Sequence, residues 1–309
     1  MKYKLGVLIC LVVGFLGACQ TVPAETQSET VTVTDAKGQQ ELPFKPQKVA
    51  VFDHGVLDTM KVLGLEQQIS GAVTQNPPAY LADFATEFES IGSLKEPDIE
   101  TLATMAPDLI IISGRLSDFS KQLQEIAPVL ELTIDSQNYW DSVQANIQTL
   151  GIVFDETEQV DELLADLEED VQELNKKADA IKDEKAMVLM LNDGAISAFS
   201  TGSRFGFIFD TFGFEPVEAA IDSSQHGQNM GYEGILEINP DIIFVVDRSQ
   251  AIQENAETQL PLLVNDFIKR TTASQNDQII SLTSDLWYLS GGGLESFGLM
   301  IEEMNHYFE

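Results

Sequence analysis

The chain has 309 residues, and its 50 acidic against 17 basic side chains give a formal net charge of −33. Such a surface repels nucleic acid and anionic lipid headgroups, and it repels an anionic ligand unless the few cations are gathered in one place. Of its two cysteines, Cys10 lies in an N-terminal apolar stretch, which leaves one for the rest of the chain and no internal disulfide there.

The first residues, MKYKLGVLICLVVGFLGACQ, place two lysines before an apolar run from Leu5 to Leu16, followed by Gly17, Ala18 and Cys19. This is a signal-peptide pattern, too short for a comfortable membrane span. Leu16-Gly17-Ala18-Cys19 resembles a bacterial lipobox, so residues 1–18 are expected to be a lipoprotein signal peptide and Cys19 the lipidated residue. A lipid there fastens the chain to a membrane surface without crossing it. Residues 19–41 are polar and predict a tether.

From Leu42 the pattern becomes ordered. KVAVFD (48–53) reads as a strand, GVLDTMKVLGL as a helix, and PDLIIIS (107–113) as a strand buried on both faces. These predict an N-terminal lobe over 42–148. Between 149 and 183, Val160, Leu163, Leu164, Leu167, Val171 and Leu174 recur at three- and four-residue intervals among charges, which predicts one long connecting helix. A C-terminal lobe over 184–309 begins with AMVLMLNDGAISAFS, two strands about an Asn-Asp-Gly turn. PDIIFVVD (240–247) is another buried strand, and LESFGLMIEEMNHYF closes the chain as a helix.

One unit occurs twice. IETLATMAPDLIIISGR (99–115) aligns without gaps on YEGILEINPDIIFVVDR (232–248). Glu100 falls on Glu233, Pro107 on Pro240, Asp108 on Asp241 and Arg115 on Arg248. The fold class is therefore α/β: two lobes with a rigid helix between them and a ligand cleft where they face each other.

Only four arginines are present. Arg115 and Arg248 each follow a buried strand, at the strand end where open α/β sheets bind ligands. Arg204 sits in the turn STGSRFG, while Arg270, beside Lys269, reads as ordinary surface. Three guanidinium groups converging would form a positive well, since each stays charged and makes forked hydrogen bonds to oxygen anions. His226, in the polar loop IDSSQHGQNMGYEG, and Tyr288, in the strand-to-helix turn expected at SDLWYLSGGG, are both competent ligands for ferric iron. The glycines Gly291–Gly293 would let backbone approach a ligand.

Taken together, the lipobox, the paired PDLIII and PDIIFVV units, SRFG, the HGQ loop and WYLSGGG resemble the substrate-binding lipoproteins of ferric-siderophore ABC importers, of the siderophore and vitamin B12 type and in the catecholate branch. The resemblance covers nearly all of the chain after Cys19. It implies two Rossmann-like lobes joined by one long helix, the helical-backbone class III arrangement. It implies that Arg115, Arg204 and Arg248 neutralise a ferric catecholate siderophore, and that His226 and Tyr288 complete the iron coordination of a tetradentate chelate. It further implies that Glu100 and Glu233 dock onto arginines of an ABC permease. No intrinsic cofactor is expected; iron travels as the siderophore complex. A monomer at the extracytoplasmic face of a bacterial membrane is the expected form.

Other functions fit less well. A zinc or manganese carrier needs several histidines and carboxylates on one cage, whereas His54, His226 and His306 lie in distant contexts. Haem or cobalamin on the same scaffold is the alternative ligand, with His226 or Tyr288 axial. Among hydrolases, neither a nucleophile elbow nor a phosphate loop occurs, and Asp53-His54 reads as a helix cap or pocket wall.

Overall fold

The computed structural model describes residues 29–253 and 255–308; the signal segment and Cys19 lie outside the described residues. Thr30–Asp35 (β1) and Gly38–Pro43 (β2) form an antiparallel hairpin. This corrects the tether expected up to residue 41. The Thr-Val alternation of β1 is the physical reason, because a strand sends successive side chains to opposite faces. Val33 and Leu42 are buried while the threonines are exposed.

In the N-terminal lobe, β3 (Val49–Val51), β4 (Ile69–Ala72), β5 (Glu89–Ser90), β6 (Leu109–Ile112) and β7 (Val129–Glu131) make a parallel sheet in the order β5-β4-β3-β6-β7. In the C-terminal lobe, β8 (Ala186–Asn192), β9 (Ala195–Phe199), β10 (Gln228–Asn229), β11 (Ile242–Asp247) and β12 (Ile279–Ser281) are ordered β10-β9-β8-β11-β12. Here β9 runs antiparallel to β8, through Asp193 and Gly194 at φ 49° and 82°. Positive φ at both central residues matches the twist of a hairpin, as the Asn-Asp-Gly signal implies. Every residue of β6 and β11 is buried, which is why both strands read as unbroken apolar runs.

The helices around the site are α1 (His54–Val62), α2 (Ile99–Met105), α3 (Tyr139–Phe154), α4 (Thr157–Asp179), α5 (Tyr232–Ile238), α6 (Arg248–Ile252), α7 (Ser284–Leu289) and α8 (Leu294–His306). The repeat has a structural cause. Each repeated helix, α2 and α5, stops at a left-handed residue, Ala106 at φ 47° and Asn239 at φ 52°. Each following aspartate then pins the neighbouring strand: Asp108 accepts from the backbone N–H groups of Gln47 and Lys48, and Asp241 from that of Lys185.

The single helix expected over 149–183 is two helices. α3 ends at Asp155, left-handed at φ 63°, and α4 carries the buried stripe Val160, Leu164, Leu167, Val171 and Leu174. Gly151 lets the pair approach, since a Cβ there would lie 3.0 Å from the Val160 side chain. The chain changes lobes a second time near its end. α7 packs on α6 and β11, whereas α8 packs on α1 and α4. One continuous apolar core accordingly spans both lobes, and a smaller cluster covers the outer part of each sheet.

Candidate ligand-binding cleft

The carboxyl ends of the parallel strands face each other across a cavity of about 440 Å³, whose lining includes Asp53, Arg115, Tyr139, Arg204 and His226. Asp53 ends up there because it caps α1: its carboxylate accepts from the N–H groups of Gly55 at 2.9 Å and Val56 at 3.2 Å. The sequence reading of Asp53 as cap and wall holds.

Three arginines from two lobes converge on one residue. Arg115 donates from Nη2 to the Tyr288 carbonyl at 2.8 Å and from Nη1 to that of Leu289 at 3.4 Å. Arg204 donates to the same Tyr288 carbonyl at 2.9 Å, and its guanidinium lies 4.1 Å from the centre of the Tyr288 ring. Arg248 donates from Nε to the Tyr288 hydroxyl at 2.7 Å and from Nη1 to Asn192 Oδ1 at 2.6 Å. Among the described residues the ion pairs are made by lysines, and none of these arginines pairs with a carboxylate. Burial, followed by the charges of Arg115 and Arg248, brings Arg204 down to about 10, so it stays protonated at neutral pH. Gathering like charges in a partly desolvated place is costly unless an anion joins them.

Tyr288 lies on α7, not in the turn expected for SDLWYLSGGG. Burial opposes its ionisation, but the Arg248 hydrogen bond and the charges of Arg204, Arg248 and Arg115 outweigh it, and the phenol falls below the usual tyrosine value. The three arginines thus favour the ionised form of this oxygen over what burial alone would allow. The following glycines serve the protein's own packing as much as a ligand. Gly291 and Gly292 line the cleft, but a Cβ on Gly293 would fall 1.9 Å from Asp58 Oδ1. That space is taken by a cap. Buried Asp58 accepts from the N–H groups of Glu295 and Ser296, each at 3.2 Å, and from the Tyr80 hydroxyl at 2.8 Å. Thr59 Oγ1 accepts from the Leu294 N–H at 3.1 Å, and Lys61 pairs with Glu295 at 2.8 Å. Burial pushes the Asp58 carboxyl up to about 7 against the hydrogen bonds that favour its charge.

His226 is exposed and lines the cavity, and its loop is held across the cleft by Gln225, which donates to Ser136 Oγ at 2.7 Å. Arg115, Arg204 and His226 line the cavity itself, whereas Arg248 and Tyr288 stand beside it. Glu100 and Glu233 are exposed in the first turns of α2 and α5, outside the cleft lining. His54 is fully buried, with neither ring nitrogen hydrogen-bonded, and burial, reinforced by Arg115 and opposed by Asp53, brings it down to about 4. Tyr139, Gln225, Ser136 and Asn192 were not picked out from the sequence. Tyr139 stacks on Phe207 at 4.0 Å and donates to the Gly291 carbonyl, and only its place at the start of a helix after a polar turn could have flagged it. Among the described residues no three His, Cys, Asp or Glu side chains come together as a metal site.

The fold has known counterparts. Residues 49–286 match the family model described as periplasmic binding protein. The petrobactin-binding protein YclQ of Bacillus subtilis is 41% identical over 91% of this chain and 89% of its own length. Its crystal structure superposes with a TM-score of 0.88 over 91% of this chain and 99% of that one. The iron uptake ABC transporter substrate-binding protein PiuA of Streptococcus pneumoniae is 41% identical, with a TM-score of 0.85, covering 90% and 98% of the two chains. The periplasmic catecholate-siderophore binding protein VctP of Vibrio cholerae is 32% identical, with a TM-score of 0.83, covering 90% and 100%.

Proposed function

This chain belongs to the periplasmic binding protein family, and on that premise we propose that it captures a ferric siderophore outside the cytoplasmic membrane and delivers it to the permease of an ABC importer. The siderophore is of catecholate type, a chelate whose iron-bound oxygens carry net negative charge. One observation carries this reading: three guanidinium groups from both lobes meet on Tyr288 without a carboxylate partner, in a chain of net charge −33. A positive pocket in a negative molecule rejects most anions at long range and holds the one shaped to enter. The names of YclQ, PiuA and VctP, which speak of petrobactin, iron uptake by an ABC transporter and catecholate siderophores, point the same way.

On arrival of the chelate, Arg115, Arg204 and Arg248 exchange their carbonyl and phenol acceptors for catecholate oxygens. A hexadentate chelator fills all six iron positions, whereas a tetradentate one leaves two. Tyr288, whose phenol is already eased toward ionisation, and His226, exposed in the cavity lining, supply those two. Iron is thus cargo and the protein holds no cofactor of its own. It acts by binding alone, as a monomer anchored through lipid on Cys19. Glu100 and Glu233, exposed at matching places of the repeated unit, face the permease.

The test is a tryptophan-fluorescence titration. Trp287 is buried, stacked 5.5 Å from Phe207, and adjacent in sequence to Tyr288. Ferric catecholates should quench it at submicromolar concentration, with a visible charge-transfer band and no Soret peak. No response to tetradentate or hexadentate complexes at tens of micromolar would end the proposal.

A further inference from the structure

A second cavity, of about 740 Å³, is lined from both lobes and shares the helix α7 with the first, through Ser284 and Asp285 here and Trp287 there. Gln250 of α6 and Ser284 and Asp285 of α7 form its C-terminal wall, and these are the helices that carry Arg248 and Tyr288. Ser284 and Tyr288 are four residues apart, which puts them on one helix face with an axial rise of about 6 Å. The N-terminal wall is the loop leaving β4, with Thr74, Gln75 and Asn76. The lobes meet along its edge, where Asn76 Nδ2 donates to the Ile252 carbonyl at 3.3 Å and the Ala79 N–H donates to Asp285 at 2.7 Å.

Its chemistry is the complement of the arginine cleft. The described lining holds no basic side chain, one carboxylate, and several carboxamides. The amides of Gln75 and Gln250 are exposed and make no hydrogen bond with any described residue. Each offers two N–H donors and a carbonyl acceptor. Such a wall has no cation to hold an anion, and it matches a neutral chain bearing amides or hydroxyls. A siderophore has such a part, the backbone joining its chelating arms.

Building on the siderophore reading above, we propose that this annex receives the amide- or hydroxyl-bearing linker of the chelator, so that the cleft senses charge while Gln75 and Gln250 select the backbone. The experiment compares two ferric catecholates with the same donor groups, one linked by an amide-containing chain and one by a hydrocarbon chain of equal length. The protein should bind the amide-linked complex about tenfold more tightly, as one or two net hydrogen bonds imply. The double substitution Gln75→Leu/Gln250→Leu should erase that preference and leave the hydrocarbon-linked complex bound as before, with an unchanged urea midpoint. Equal affinities in the unsubstituted protein, or a preference that survives the double substitution, overturns the annex. Failure of both complexes to bind refutes the siderophore reading beneath it.

Discussion

Arg115 and Arg248 occupy equivalent places in the repeated unit, yet their guanidinium groups are engaged differently. Arg248 is tied within its own lobe, to the Tyr288 hydroxyl and to Asn192. Arg115 reaches out of the N-terminal lobe, and both of its acceptors are backbone carbonyls of α7. The C-terminal lobe further supplies Arg204 and the His226 loop, while the N-terminal lobe contributes Asp53, Ser136 and the apolar wall around Tyr139. One half of the repeated scaffold therefore carries most of the polar site, and the other reaches across to it through Arg115, as a jaw would. The two units share the strand, the Pro-Asp turn and the arginine, and differ in what the arginine holds.

The sharpest way to break this comparison is to delete the arginines singly. Arg204→Ala removes a half-buried cation stacked on Tyr288 and should cost about 2–5 kcal/mol of ferric catecholate affinity, read from titration. Arg115→Ala should cost less, since Arg115 shares the Tyr288 carbonyl but not the ring contact that Arg204 makes. Equal losses would erase the distinction between site and jaw. Next in size, Tyr288→Phe combined with His226→Ala should weaken tetradentate complexes by about ten- to a hundredfold and hexadentate ones only a few-fold, because only the former leave iron positions for the protein. A uniform loss for both classes rejects the donor roles.

Two buried groups beneath the cleft allow a pH test. Unfolded His54 takes up a proton near 6.5 but the folded chain resists it down to about 4, so this residue adds stability as pH rises between those values and withdraws it as pH falls. Asp58 acts in the opposite sense. Its folded carboxyl keeps a proton up to about 7 while the unfolded one loses it near 3.8, so its contribution falls as pH rises across that window. The two oppose each other between pH 4 and 6.5. Relative to the unsubstituted protein, Asp58→Asn should make urea stability climb more steeply with pH in that range, and His54→Leu should make it climb less steeply or fall. Parallel pH profiles for all three proteins would contradict both assignments.

The smallest effect belongs to the repeat itself. Ala106 holds a left-handed conformation that costs an L-residue with a Cβ, while its counterpart Asn239 tolerates it. Ala106→Gly should stabilise the fold by about 0.5–1 kcal/mol in urea titration, and Asn239→Gly by less.

How legible this was depended on whether the determining contacts are local. The buried strands, the Asp193-Gly194 turn and the twofold unit follow from periodicity, and the strand-end arginines follow from the unit's register. The β1–β2 hairpin escaped notice because its threonines disguise Val33 and Leu42, whose burial depends on partners far along the chain. The break at Asp155 was hidden because the apolar stripe resumes at Val160 in helical phase. Asp58 looked like one more acidic residue in an acidic chain. Its role as a cap comes from α8, more than two hundred residues later. Gln225 and Ser136 meet only because two lobes do.

The anchoring of α8 on α1 through Asp58, Thr59 and Lys61 bears on how the two halves can move. A rigid body fastened at a single point can swivel in any direction, but one fastened at two turns only about the line through them. With α4 as one attachment and the segment ending at Gly293 as the other, any relative motion of the two halves should reduce to a rocking about the line through both.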